Sequence, residues 1–206
     1  MSEKNDLTSY QKAWQIQVPG LRLVEFTSDH SSFAVYDKDS ELRLFNHSGK
    51  ELWHRKTGYD LVSIALSDTL EVLGVDSDKH SVLFGQEGAT LWRKRPFPAV
   101  MGRISASGEI FSFVTTDPAI IGTDRSLRVK WAYRNLMKRP SDMAISGGGE
   151  CVAFPCADDR GEGLGAVNQS GRPLDAFMGQ IVSSRFHSAA MAILRWPYRP
   201  VAIYSA

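Results

Sequence analysis

Acidic side chains recur at matching places in this chain. Asp37 and Asp39 lie in DKDS (37–40), Asp76 and Asp78 in DSDKH (76–80), and Asp158-Asp159 in ADDRGEG (157–163). Oxygen-rich turns can hold Ca²⁺, but that ion takes roughly six to eight ligands and each turn offers about two. Asp that caps its own turn by accepting backbone N–H groups is the expectation, and no metal site is assigned. The five His (30, 47, 54, 80 and 187) show no metal-ligand spacing. HExxH, GxSxG and GxxxxGK[ST] are absent and no Ser/His/Asp set is defined, so no catalytic residue is assigned and the chain is not read as an enzyme. Gly161-Glu-Gly163-Leu-Gly165-Ala166 fits GxGxx[GA]. That fingerprint needs a strand before it and a helix after it; here a loop between antiparallel strands is expected, so no nucleotide and no cofactor is assigned. Asn46-His47-Ser48 and Asn168-Gln169-Ser170 match the glycosylation acceptor pattern but occupy equivalent turns, where Asn bonds its own backbone.

The elements that must position these residues are visible as a repeat. Trp14, Trp53, Trp92 and Trp131 are spaced 39 residues apart. HSGKELW (47–53) and QEGATLW (86–92) both place Gly four residues and Leu one residue before Trp; QSGRPLD (169–175) is a degenerate copy with Asp175 at the Trp position, and DRSLRVKW (124–131) lacks the Gly. Short strands punctuated by turns precede each Trp. The units are 21–57, 60–96, 99–136 and 140–178, each with four strands, a to d. After the fourth unit, IVSSRF (181–186), AMAILR (190–195) and VAIYS (201–205) supply three more strands. The missing outer strand is KAWQIQV (12–18), at the other end of the chain.

The turn-rich GxxxW segments and four strands per unit resemble pyrroloquinoline-quinone-like and WD40-like propeller repeats, over nearly the whole chain. The resemblance implies a ring of antiparallel blades with loops on two faces, and it implies fold rather than activity. The expected architecture is all-β: one five-bladed domain over 1–206, with 1–11 as a partly disordered tail. Residues 12–18 would form the outer strand of the last blade and 180–206 its three inner strands, closing the ring. Strand exchange between protomers would satisfy the same pattern, so oligomeric state stays open. The Trp side chains are expected to fill the gaps between blades.

Composition narrows the class. The chain has 206 residues, 43% of them hydrophobic, and a net charge of +1, which lacks the global basic footprint of a nucleic-acid binder. The N-terminal MSEKNDLTSYQK has no apolar stretch of a secretory signal, and no window suits a membrane span. A cytoplasmic protein without membrane association is expected. Cys151 and Cys156, oddly spaced along one strand, are expected as free thiols.

In a propeller the d–a connections share a face with the b–c turns. That face would alternate basic segments, His54-Arg55-Lys56, Arg93-Lys94-Arg95, Arg134 and Lys138-Arg139, with the acidic turns. The fifth b–c loop breaks the series with Trp196-Pro197-Tyr198-Arg199-Pro200. Two readings follow. The charges neutralise one another as weak surface pairs, or they frame a binding face for a protein, with Trp196, Tyr198 and Arg199 as stiff anchors beside Arg55, Lys56, Arg93, Lys94, Arg95 and Arg134. The functional expectation is a non-catalytic recognition or scaffold module. The alternative is a carbohydrate- or anion-binding propeller, lectin-like or glycosidase-like, using a central channel lined by Arg22, Glu25, Arg103 and Arg185.

Overall fold

The computed structural model describes residues 15–158 and 161–178, and every regular element among them is a β-strand. The first sheet contains β1 (Leu21–Phe26), β2 (Ser32–Asp37), β3 (Glu41–Asn46) and β4 (Glu51–Lys56). The second contains β5 (Leu61–Leu66), β6 (Val72–Asp76), β7 (Ser81–Phe84) and β8 (Thr90–Lys94). The third is built from β9 (Ala99–Ile104), β10 (Ile110–Thr115), β11 (Ile120–Asp124) and β12 (Val129–Tyr133), and the fourth from β13 (Ala144–Ile145), β14 (Cys151–Asp158), β15 (Gly161–Asn168) and β16 (Pro173–Met178). Each sheet is an antiparallel meander in chain order. The first strands meet in series, β1 with β5, β5 with β9 and β9 with β13, so the sheets stand as blades about one axis. The strands that carry the Trp residues, β4, β8 and β12, form the outer rim with β16.

Four blades and no closed sheet are present among the described residues, not the five-bladed ring expected from sequence. The fifth-blade segments at 181–205, the 1–11 tail and Trp14 lie outside the described residues. Gln15–Val18 is described and takes no strand. The expected ADDRGEG loop also differs. Cys156 pairs with Gly163, Ala157 with Glu162 and Asp158 with Gly161, so the segment belongs to a long hairpin. The glycines of the GxGxx[GA] match therefore lie within β15, and no helix follows among the described residues.

Burial between blades holds the arc together. One cluster joins Tyr36, Leu42 and Leu44 of the first blade to Leu61, Ile64 and Phe84 of the second. A second joins Leu73, Val75 and Leu83 to Phe111 and Phe113, and a third joins Val114, Ile120 and Trp131 to Val152, Phe154 and Val167. β2, β6 and β10 are apolar on both faces because each blade packs a neighbour on either side. The three described repeat Trp sit at these seams, as their spacing suggested.

Small residues set how deeply each Trp enters. Gly88 stands at φ +77° in the second blade, and a Cβ there would lie 2.8 Å from the Trp53 ring of the first. Opposite Trp131, Gly122 leaves space that a Cβ would fill at 2.0 Å from the ring. Leu44 and Leu83 occupy the matching places beside Trp53 and Trp92. Trp131 is accordingly the most enclosed of the three, at 6% exposure, while Trp53 and Trp92 remain half-buried. The third repeat lacks the turn Gly because Leu127 adopts the left-handed φ of +64° itself and packs into the seam with Trp92.

A second repeated device was not legible from the Trp period. Thr27, Ser67, Ser105 and Ser146 are buried at the a–b turns. Their hydroxyls accept the backbone N–H of Ser32, Glu71, Ile110 and Cys151 at 3.0, 3.1, 3.1 and 3.1 Å. Each closes a hairpin that would otherwise bury an unpaired donor.

Candidate functional site

The b–c turns and d–a connections share one face, as expected. Ser77 N donates to Asp60 O at 2.8 Å, Thr116 N to Pro98 O at 3.0 Å and Thr57 N to Ser40 O at 2.9 Å. Within this face the acidic turns act locally. Asp37 and Asp76 are each 2% exposed. Asp37 Oδ1 accepts the N–H groups of Asp39 and Glu41, and Asp76 Oδ1 accepts that of His80 at 2.9 Å. Asn46 and Asn168 do the same in their c–d turns, accepting from Ser48, Lys50, Ser170 and Arg172. These carboxylates and amides are turn caps.

Arg93 makes the most polar contacts of the basic residues that follow each Trp. Its Nε and one Nη donate to Asp76 Oδ2 at 3.0 and 2.6 Å, its guanidinium lies 4.7 Å from the Tyr59 ring centroid, and Nη2 stands 3.0 Å from His80 Nδ1. It ties its blade to the connection before it. One atom each of Asp76, Asp78 and His80 lies within 4.8 Å of the others, a grouping sequence spacing did not flag. Arg93 already bonds Asp76 Oδ2 and His80 Nδ1, so a guanidinium locks this turn.

The other basic residues are differently disposed. Arg55 is exposed and donates to Gly88 O at 3.2 Å across the blade boundary. Lys56, Lys94, Arg95, Arg134, Lys138 and Arg139 are exposed and form no ion pair among the described residues. Several lie on or beside outer edge strands, where cations also discourage strand-to-strand aggregation. Trp196, Tyr198 and Arg199, the expected aromatic anchor, lie outside the described residues.

The axis holds a second polar group. Arg103 on β9 reaches Glu25 of β1 at 3.4 Å and Asp142, just before β13, at 2.9 Å. It also donates to Met143 O at 2.8 Å and Ile64 O at 3.4 Å. One guanidinium thus stitches the inner edges of four blades. Of the expected channel residues, Glu25 and Arg103 come together. Arg22 instead pairs with Asp60 at 2.5 Å over the Tyr36 ring, a contact that holds its guanidinium above the ordinary value. Arg185 lies outside the described residues. Asp142 carried no sequence signal, since only the curvature of the arc brings it to Arg103. The cleft around this group, lined by Leu23, Glu25, Ser63, Met101, Arg103 and Asp142 among others, has a volume of about 190 Å³. Ordinary ligand pockets run from roughly 300 to 1,000 Å³.

Both cysteines carry free thiols, and burial pushes the Cys151 thiol up to about 11.

Blades of four antiparallel strands set about an axis define a WD40-like β-propeller fold. Solved structures of similar shape bear this out. The C-terminal WD40 domain of Sif2 superposes with a TM-score of 0.60 at 15% identity, over 77% of this chain and 46% of that one. The hydrazine synthase of Kuenenia stuttgartiensis gives 0.61 at 12% identity, over 82% of this chain and 52% of that one. The chain spans about half the length of these structures, and at such identities the likeness is one of fold. No protein-family model and no curated protein matches the sequence.

Proposed function

We propose that this chain is a non-catalytic recognition or scaffold module that engages a protein partner through its d–a/b–c face. The observation that supports this reading is the set of unpaired cations on that face. Asp37 and Asp76 are buried as caps and Asp39, Asp78 and Asp117 are exposed in the b–c turns, while Lys94, Arg95 and Arg134 stand exposed without an ion pair among the described residues. Trp196, Tyr198 and Arg199 would add the anchor loop, a composition typical of interface hot spots. Replacing both Trp196 and Arg199 by Ala abolishes partner capture in this reading and leaves the melting temperature unchanged. Capture at wild-type strength by that double variant overturns it.

The same reading takes the arc to completion as five blades, closed by the N-terminal segment. Three observations favour it. Lys38 N donates to Gly20 O at 2.8 Å, which matches the Ser77–Asp60 and Thr116–Pro98 bonds and gives residues before 20 the place of a d strand. Ile16 and Val18 pack on Phe33, Val35 and Phe45, the apolar side of the first blade that no other described blade covers. The Arg103–Glu25 pair spans a whole intervening blade, so the arc is tightly curved. Phe26, 52% exposed and 5.6 Å from Phe33 between ring centroids, reads out the closure. In a closed ring Phe26→Asp is destabilising by about 2 kcal/mol or more, because it buries a charge. Stability within about 0.5 kcal/mol of wild type refutes closure over that face.

A further inference from the structure

The repeat supplies its own control for locating a specialised segment. Thr57–Asp60 and Arg95–Pro98 connect their blades with four residues each, whereas ten residues, 134–143, lie between β12 and β13. The longer connection is pinned at both ends. Leu136 packs against the seam formed by Val114, Trp131, Val152 and Phe154. Pro140 is buried, and Asp142 Oδ1 accepts from Arg103 Nη2 at 2.9 Å and Met143 N at 2.7 Å. Between these anchors Met137, Lys138 and Arg139 stand exposed. Met137 is 70% exposed, beyond any other large apolar side chain among the described residues. Arg134, Lys138 and Arg139 form no ion pair among the described residues, and the one acid of the segment, Asp142, is taken up by Arg103.

We propose that the 134–143 connection is the principal docking element for an acidic protein segment carrying one large apolar residue. The inference rests on the recognition-module reading and names the partner's chemistry. Three unpaired cations around a displayed thioether fit carboxylates around an apolar side chain, and Met adapts to the shape it meets. The fixed ends lower the cost of ordering the segment on binding. Lys94, the last residue of β8, and Arg95 after it are further exposed cations at the end of the preceding blade, without an ion pair among the described residues. A nucleic acid fits less well, since 134–143 holds no aromatic ring for a base to stack on and the whole chain carries only +1.

The test selects a displayed random dodecapeptide library on the intact chain at physiological salt and measures the enriched peptides against variants. Enrichment of Asp and Glu around one large apolar residue is expected. A Met137→Ser, Lys138→Glu, Arg139→Glu variant should bind those peptides at least ten-fold more weakly, with its melting temperature unchanged; Lys138→Arg with Arg139→Lys should stay within two-fold of wild type. Neutral or basic enriched peptides, or a change under two-fold in the triple variant, overturn the proposal. So does tighter binding of a 20-nucleotide single strand or duplex that the triple variant loses. Peptides that ignore the triple variant but are lost on Trp196→Ala with Arg199→Ala overturn this element and leave the recognition face standing. Peptides indifferent to both sets overturn both.

Discussion

The two faces of the propeller arise from the same repeat and use their polar side chains differently. On the a–b/c–d face, side chains join the backbone in linking neighbouring blades. Ser28 N donates to Asp68 Oδ1 at 2.7 Å, Asp68 N to Ala106 O at 2.9 Å and Ser107 N to Gly147 O at 3.3 Å. Arg125 of the third blade holds the buried Glu71 of the second with both Nη atoms, and Nη1 also reaches Gly108 O at 3.3 Å. Arg128 and Lys130 share Asp124 there, with Lys50 and Arg172 left without an ion pair among the described residues. On the d–a/b–c face the blade-to-blade bonds are largely backbone bonds, supplemented by Arg22 and Arg93, and six exposed cations stay unpaired among the described residues. Ties made by the main chain free side chains for another role. One face is invested in cohesion; the other can change its side chains at little cost.

Substitutions can break or sharpen this contrast. The largest effect is expected from Arg125→Met, which leaves the Glu71 carboxylate buried and unpaired and lowers stability by about 3 kcal/mol in urea unfolding. A loss below about 1 kcal/mol would mean that the pair is not a principal tie of the cohesive face. Next, Ser105→Ala orphans the Ile110 N–H and should cost about 1–2 kcal/mol. On the opposite face, Lys94→Glu with Arg95→Glu should move the unfolding free energy by less than about 0.5 kcal/mol. A larger loss would show that these cations are structural after all.

The subtlest expectation concerns acid. The Ser31 N–H bond, with further bonds from Thr27 and the Ser31 hydroxyl, holds the Asp29 carboxyl down at about 2. A folded value below the unfolded one stabilises above the ordinary carboxylate range, and that contribution fades as pH falls from near 4 through 2. Urea midpoints should therefore decline over that window, and less so in Asp29→Asn. Equal declines would remove Asp29 from the cohesive face.

Repeat length was legible in the sequence and connection length was not. The 39-residue Trp spacing located the three described seams, whereas the 134–143 connection went unmarked because the expected units, 99–136 and 140–178, divide it. The Ser and Thr staples escaped because Thr27, Ser67, Ser105 and Ser146 follow the period only approximately and are two residue types common in any turn. Leu127 hid a turn because a buried side chain there stands where the other repeats use Gly at positive φ. Arg93 looked like any other basic residue after a Trp. A long guanidinium stem reaches solvent or a buried carboxylate equally well, and only the seating of Tyr59 and Asp76 selected the second.

Local rules settled most of the strands and turns of this protein, because alternation, turn residues and side-chain caps act over a few neighbouring residues. They also settled that Trp belongs at the seams, since a large ring repeated on one strand of every unit must find a common apolar gap. Which charges are spent and which remain was decided by the tertiary structure. Glu25, Arg103 and Asp142 come from three different blades, and Glu71 and Arg125 from two. Whether such groups meet depends on the angle between blades, a property of packed sheets that no single repeat carries.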